Sequence, residues 1–144
     1  MSGLLSDVVL KRIGGGEAKG SDALAWKLVG LYFSAHWCPP CRSFTSKLTD
    51  FYYHLNGEFE VVMVPCDSTK EEVDEHLKQC PPEWYYLPYG DEYLDVLERK
   101  YDVDAVPTLV VVMSDGTVIT KMGREDVLQL SPMNALHYWL SAVM

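Results

Sequence analysis

Apolar positions in this chain follow two spacings: continuous runs, and stripes recurring every third or fourth residue. Leu28 to Ser34 is a near-continuous run, the pattern of a central strand buried on both faces. From Pro39 to Leu55 the period changes, and Phe44, Leu48, Phe51 and Leu55 share one face of a helix. Phe59 to Val64 is a second buried strand. Ser68-Thr69-Lys70-Glu71 matches a capping box, which predicts a helix from Lys70 to Gln79 with Val73 and Leu77 inward. Gly90-Asp91 precedes a third helix with Leu94, Leu97 and Tyr101 on one stripe. Thr108 to Met113 and Thr117 to Lys121 read as strands joined by the Asp115-Gly116 turn. Ser131-Pro132 opens the last helix, with proline at its first position and Met133, Leu136, Leu140 and Val143 as the expected buried face. At the front, Asp7 to Lys19 reads as a short hairpin around Gly14-Gly15-Gly16, and Ser21-Asp22 caps a brief turn through Trp26.

The expected order is hairpin, strand, helix, strand, two helices, two strands, helix. Strand, helix and strand in succession imply a parallel pair, and the late hairpin adds an antiparallel edge. The fold class is therefore α/β: a mixed sheet with helices on both faces. No repeat, linker or low-complexity segment divides the chain, so residues 1–144 read as a single domain. Composition is ordinary for a globular protein, at 48% apolar and 23% charged. A net charge of −9 argues against a nucleic-acid partner. Met1 to Gly16 holds only short apolar pieces, Leu4-Leu5 and Val8-Val9-Leu10, with no secretory core, and no run approaches the ~20 apolar residues of a membrane span. The expectation is an intracellular protein, cytoplasmic and nuclear in reach, with no membrane partner. In that setting four cysteines favour redox or metal roles over structural bridges.

Cys38-Pro39-Pro40-Cys41 sits where the first strand hands over to a helix. Two thiols at that spacing can cycle between dithiol and disulfide. The helix N-terminus offers unpaired N–H groups and the positive end of its dipole, and both favour a thiolate. Zinc is the competing use of such a pair, but it needs a second close pair of ligands. Cys66 and Cys80 stand alone, and the four histidines show no ligand spacing, so no metal is expected. Nor should Cys66 and Cys80 bond each other. Ten helical residues between them advance ~15 Å, whereas a disulfide needs Cα atoms within ~7 Å. Pro39 and Pro40 stiffen the loop and remove amide donors.

Trp37 suits an apolar cover for the dithiol and a docking surface for the partner, and equally simple packing. Arg42 suits a thiolate or a substrate carbonyl, and equally a solvated surface. Asp67 is the candidate base for the Cys41 proton, with Glu72 second; a turn role suits Asp67 as well. His36 stands beside the motif, where it can tune Cys38 or simply face solvent. Trp84, Tyr85, Tyr86 and Tyr89 form either an aromatic rim near the site or core packing.

These residues resemble a family. Trp37-Cys38-Pro39-Pro40-Cys41-Arg42 and Val106-Pro107-Thr108 look like the two signatures of the thioredoxin superfamily. The longer string from Tyr32 to Thr45, then Asp67 to Glu72, Trp84 with Leu87-Pro88-Tyr89, and Gly116 to Thr120 resemble its tryparedoxin and nucleoredoxin branch. The resemblance implies a thioredoxin-like fold with an N-terminal β-hairpin, Cys38 as attacking thiolate, Cys41 as resolving thiol, and Pro107 as a cis proline facing them. It implies a protein-disulfide reductase without a bound cofactor. Its partners would be disulfide-containing client proteins and an upstream reductase or low-molecular-weight dithiol. The chain departs from the pattern at Tyr32, where ordinary thioredoxins carry a buried Asp, at Ser46, where the branch usually has Pro, and at Cys66, near which tryparedoxins carry a Trp. A rival reading is a redox-sensitive binding module of nucleoredoxin type, which grips a partner and turns over little.

Overall fold

The alternation of side chains along each central strand splits its apolar run between two cores. The computed structural model describes residues 5, 7–55 and 57–143, so Leu4 of the first apolar piece lies outside the described residues. Strands β1 (Val9–Arg12), β2 (Glu17–Lys19), β3 (Leu28–Ser34), β4 (Phe59–Pro65), β5 (Tyr85–Tyr86), β6 (Thr108–Met113) and β7 (Val118–Thr120) form one sheet. Their order across it is β2-β1-β5-β4-β3-β6-β7. β3 and β4 run parallel, with Leu28 opposite Phe59 and Ser34 opposite Pro65. β6 lies antiparallel on the other side of β3, with Phe33 opposite Thr108. The helices are α1 (Gly20–Ala23), α2 (Pro39–His54), α3 (Lys70–Leu77), α4 (Tyr93–Lys100), α5 (Gly123–Gln129) and α6 (Pro132–Ser141).

Tyr32, Phe59, Val61, Met63, Leu109 and Val111 face a core shared with α2, α3, α5 and α6. Val29, Leu31, Phe33, Val62, Val64, Val110 and Val112 face the opposite core, which α1 and α4 cover. The mixed sheet with helices on both faces and the front hairpin are thus as expected. β3 and β6 match their expected bounds, and α2 runs unbroken through Ser46.

Several elements differ from expectation. β5 is only two residues long, too short to show a period, yet it joins the hairpin to the sheet through Lys11 opposite Tyr86. α5 carries little apolar signal: Gly123 and Val127 are its buried residues. The α3 cap sits one residue later than expected. Thr69 Oγ1 accepts the Glu72 N–H at 3.2 Å, and the Glu72 carboxylate accepts from the Thr69 hydroxyl. α1 is preceded by Lys19, which makes no side-chain cap. On α6 the buried face is Ala135, Leu136 and Trp139, while Met133 and Val143 are exposed. Trp139 sets that rotation, packing on Phe51 and Phe59 and donating its indole N–H to Asp126 at 2.9 Å.

Candidate active site

The inner strand β3 ends at Ser34, and after a short turn α2 starts with its N-cap at Cys38. Pro39 and Pro40 fill the first two helical positions, where a missing N–H costs nothing. The first available helical donor is therefore the Cys41 N–H, which points at the Cys38 sulfur across 3.3 Å. The prolines leave this one amide for the sulfur instead of removing the helix's support for it. Opposite, the Cys38 S–H faces the Val106 carbonyl at 3.9 Å. The Val106–Pro107 peptide bond is cis, as the resemblance implies. Pro107 leads into β6, whose register against β3 holds this loop beside the dithiol.

Cys41 is wholly enclosed, whereas Cys38 keeps 5% of its surface open. Burial pushes the Cys41 thiol up to about 11, with the neighbouring Cys38 sulfur adding to the rise. The Ala35 backbone and, after it, the Ser34 hydroxyl act in the other direction and hold the rise back. Tyr32, at the position noted as a departure, donates its phenol to the Cys41 carbonyl at 3.0 Å and meets Thr45 Oγ1 at 2.7 Å. It braces the first turn of α2, and burial raises its own hydroxyl well above the usual range.

Two contacts pin the turn before the dithiol. Asp67 Oδ1 accepts the His36 N–H at 2.6 Å, and the Arg42 guanidinium donates to the His36 carbonyl at 2.8 Å. Trp37 is left 56% exposed beside them. Arg42 thus spans the turn it follows. Asp67 is brought to this turn, and burial holds its carboxyl above the ordinary range, but its hydrogen bond goes to His36. Among the described residues no hydrogen bond joins Asp67 to Cys41. Glu72 belongs to the α3 cap. Trp84 is core, edge-on to Tyr32 and Tyr52, and Tyr89 binds the Ser68 carbonyl from the surface.

Sequence reasoning passed over Ser34 and His76. Ser34 closes an all-apolar run, and His76 fills the i+3 place between inward Val73 and Leu77, the spacing that could have exposed it. His76 is wholly buried, and its Nε2 lies 3.0 Å from Ser34 Oγ. Burial, aided by His36 and Arg42, pushes its imidazole down to about 4, so it is neutral at physiological pH.

The other thiols are held apart from each other. The half-buried Cys66 faces the Glu98 carboxylate at 3.4 Å. Cys80 is buried against the Met63 sulfur at 3.7 Å. Among the described residues no cluster has the ligands for a metal, and no helix is long and apolar enough to cross a membrane.

A thioredoxin-like family model matches residues 26–118. Mouse nucleoredoxin is 40% identical over 117 residues, covering 78% of this chain and 26% of that protein. A probable nucleoredoxin of rice, nucleoredoxin 2, is 46% identical over 108 residues, covering 72% of this chain and 27% of its own length. The chain therefore spans about a quarter of the curated relatives it matches. Among solved structures, a thioredoxin from Wuchereria bancrofti superposes with a TM-score of 0.84 at 45% identity, covering 99% of this chain and 100% of that one. Tryparedoxin I from Crithidia fasciculata follows at a TM-score of 0.78 and 35% identity, with 88% of each chain covered.

Proposed function

This chain belongs to the tryparedoxin/nucleoredoxin-like branch of the thioredoxin superfamily, and from that premise we propose that it is a thiol–disulfide oxidoreductase that reduces protein disulfides. The Cys38 thiolate attacks one sulfur of a client disulfide. A mixed disulfide forms and the other client sulfur leaves as a thiolate. Cys41 then loses its proton and attacks the Cys38 sulfur, releasing the second client thiol. Two electrons pass to the client, and the Cys38–Cys41 pair is left oxidised. A low-molecular-weight dithiol or a reductase supplies the electrons that restore it; no bound cofactor enters the cycle.

One observation carries this reading: a fully enclosed Cys41 whose amide supports the sulfur of Cys38, the less enclosed of the two residues. The less enclosed thiol suits attack on a client, and the fully enclosed one suits attack on what is already bonded to Cys38. The exposed Trp37 before Cys38 and the Val106 carbonyl beside its sulfur suit the docking of an extended client segment. A reducing cytoplasmic or nuclear compartment fits four unpaired thiols.

Catalytic reduction of insulin disulfides with dithiothreitol tests the proposal. Turnover that disappears in Cys38→Ser is expected. No turnover by the intact protein, with partner binding that survives loss of both cysteines, would favour the binding module instead.

A further inference from the structure

His76 has no part in the cycle as written, yet it is wholly buried and its Nε2 lies against Ser34. Its Nδ1 has no hydrogen-bond partner among the described residues. A buried imidazole leaves one nitrogen unmet only at a cost in stability. Ser34 shares a face of β3 with Tyr32, whose phenol reaches the Cys41 carbonyl at 3.0 Å, and the Ser34 hydroxyl is among the groups that hold the Cys41 thiol down. Polar groups thus run from α3, through the end of β3, to the first turn of α2 that carries Cys41.

We propose that His76 is a positioning residue for the resolving step, holding the Ser34 hydroxyl as a donor toward the Cys41 sulfur. The inference rests on the oxidoreductase reading and names the group that readies its second thiol. The chemistry turns on the tautomer. With the proton on Nε2, His76 donates to Ser34 Oγ, and the Ser34 hydrogen is free to donate to a Cys41 thiolate. Nδ1 is then a bare lone pair, which costs less when buried than an unmet N–H does. With the proton on Nδ1, Ser34 must donate to His76 and has nothing for Cys41.

Other titratable groups surround this line. Cys38, Tyr32 and Cys66 face Cys41, while His36 and Arg42 face His76, with Asp67 behind His36. Cys80 caps the His76 carbonyl. Burial raises Tyr32, Cys66 and Cys80, so these stay protonated through neutral pH. Replacing Cys38 by Ser removes the neighbouring thiol that raises Cys41.

The test follows Cys41 13Cβ chemical shifts against pH in a Cys38→Ser background. His76→Leu should raise the Cys41 midpoint by about one pH unit or more, leaving about tenfold less thiolate at neutral pH. His76→Gln, whose side-chain amide places an N–H near the Nε2 position, should return it to that of the background. An unmoved midpoint in His76→Leu, or an equal rise in both variants, overturns the proposal. Two further readings hold if His76→Leu does not fold. Ser34→Ala should raise the midpoint as much. In the reduced wild type above the Cys41 midpoint, 15N shifts should place the His76 proton on Nε2; a proton on Nδ1 overturns the assignment. None of these readings depends on turnover, which insulin reduction by the wild type tests separately.

Discussion

The Cys41 amide donates to the Cys38 sulfur across 3.3 Å, at the point where two prolines leave the helix no earlier donor. One residue thereby both supports the sulfur proposed to attack the client and carries the sulfur proposed to displace it. Its own thiol is enclosed and held protonated. The two cysteines differ by environment, not by residue type.

That difference predicts a labelling order. Burial raises Cys41 to about 11 and Cys80 to about 12, and raises Cys66 further still, with Glu98 adding to the effect. Iodoacetamide on the reduced protein at about pH 8, just below the ordinary thiol value, should modify Cys38 alone in the first phase, as read by peptide mapping. First labelling of Cys41 would exchange the two roles.

Mixed disulfides should accumulate on only one single mutant. On the proposed roles, Cys41→Ser keeps the attacking sulfur and removes the resolving one, so disulfide-bearing clients should stay attached. Cys38→Ser should trap none. The comparison is made on non-reducing gels with mass spectrometry of the bands.

Oxidation should form one disulfide. Cys66 is held at Glu98 and Cys80 at Met63, on separate parts of the fold. Peptide mapping of air-oxidised protein should recover a Cys38–Cys41 link and two alkylatable thiols. A Cys66–Cys80 link from native protein would contradict both placements.

Gly30→Ala should destabilise without touching the dithiol. A Cβ there would meet the Phe59 ring at 2.6 Å and Leu109 at 3.0 Å, both packed in the core. Overpacking of this kind costs about 1–3 kcal/mol. Urea unfolding should show a lower midpoint with an unchanged slope.

Stability should fall on mild acidification. The folded His76 sits at about 4, below the ordinary 6.5, so the unfolded chain binds the proton more readily. Its contribution is complete above the unfolded value and is lost as pH falls toward about 4. Integrated over that window it amounts to about 3 kcal/mol. Asp67 works in the opposite sense, since burial raises its carboxyl and the folded form takes up that proton first. Urea unfolding between neutral pH and pH ~5, in wild type and His76→Gln, checks the sign: the wild type should lose more.

Period alone sufficed for the centre of this protein. The runs at Leu28 to Ser34 and Thr108 to Met113 became strands at those bounds, because a strand buried on both faces has no polar position to blur its ends. The change of period at Pro39 likewise marks the start of α2, with Cys38 at its cap and Cys41 in its first turn. What the chain could not announce locally depends on distant partners. β5 is a strand only because β1 and β4 flank it, and α6 turns Trp139 inward because Phe51 and Phe59 wait there. Asp67 was legible as a residue near the site, but its partner, the His36 amide, was not. Ser34 and His76 are separated by 42 positions and meet only once α3 packs against the end of β3. A hydrogen bond between side chains that far apart leaves no periodic trace in the sequence; burial and the packing of one element on another decide it.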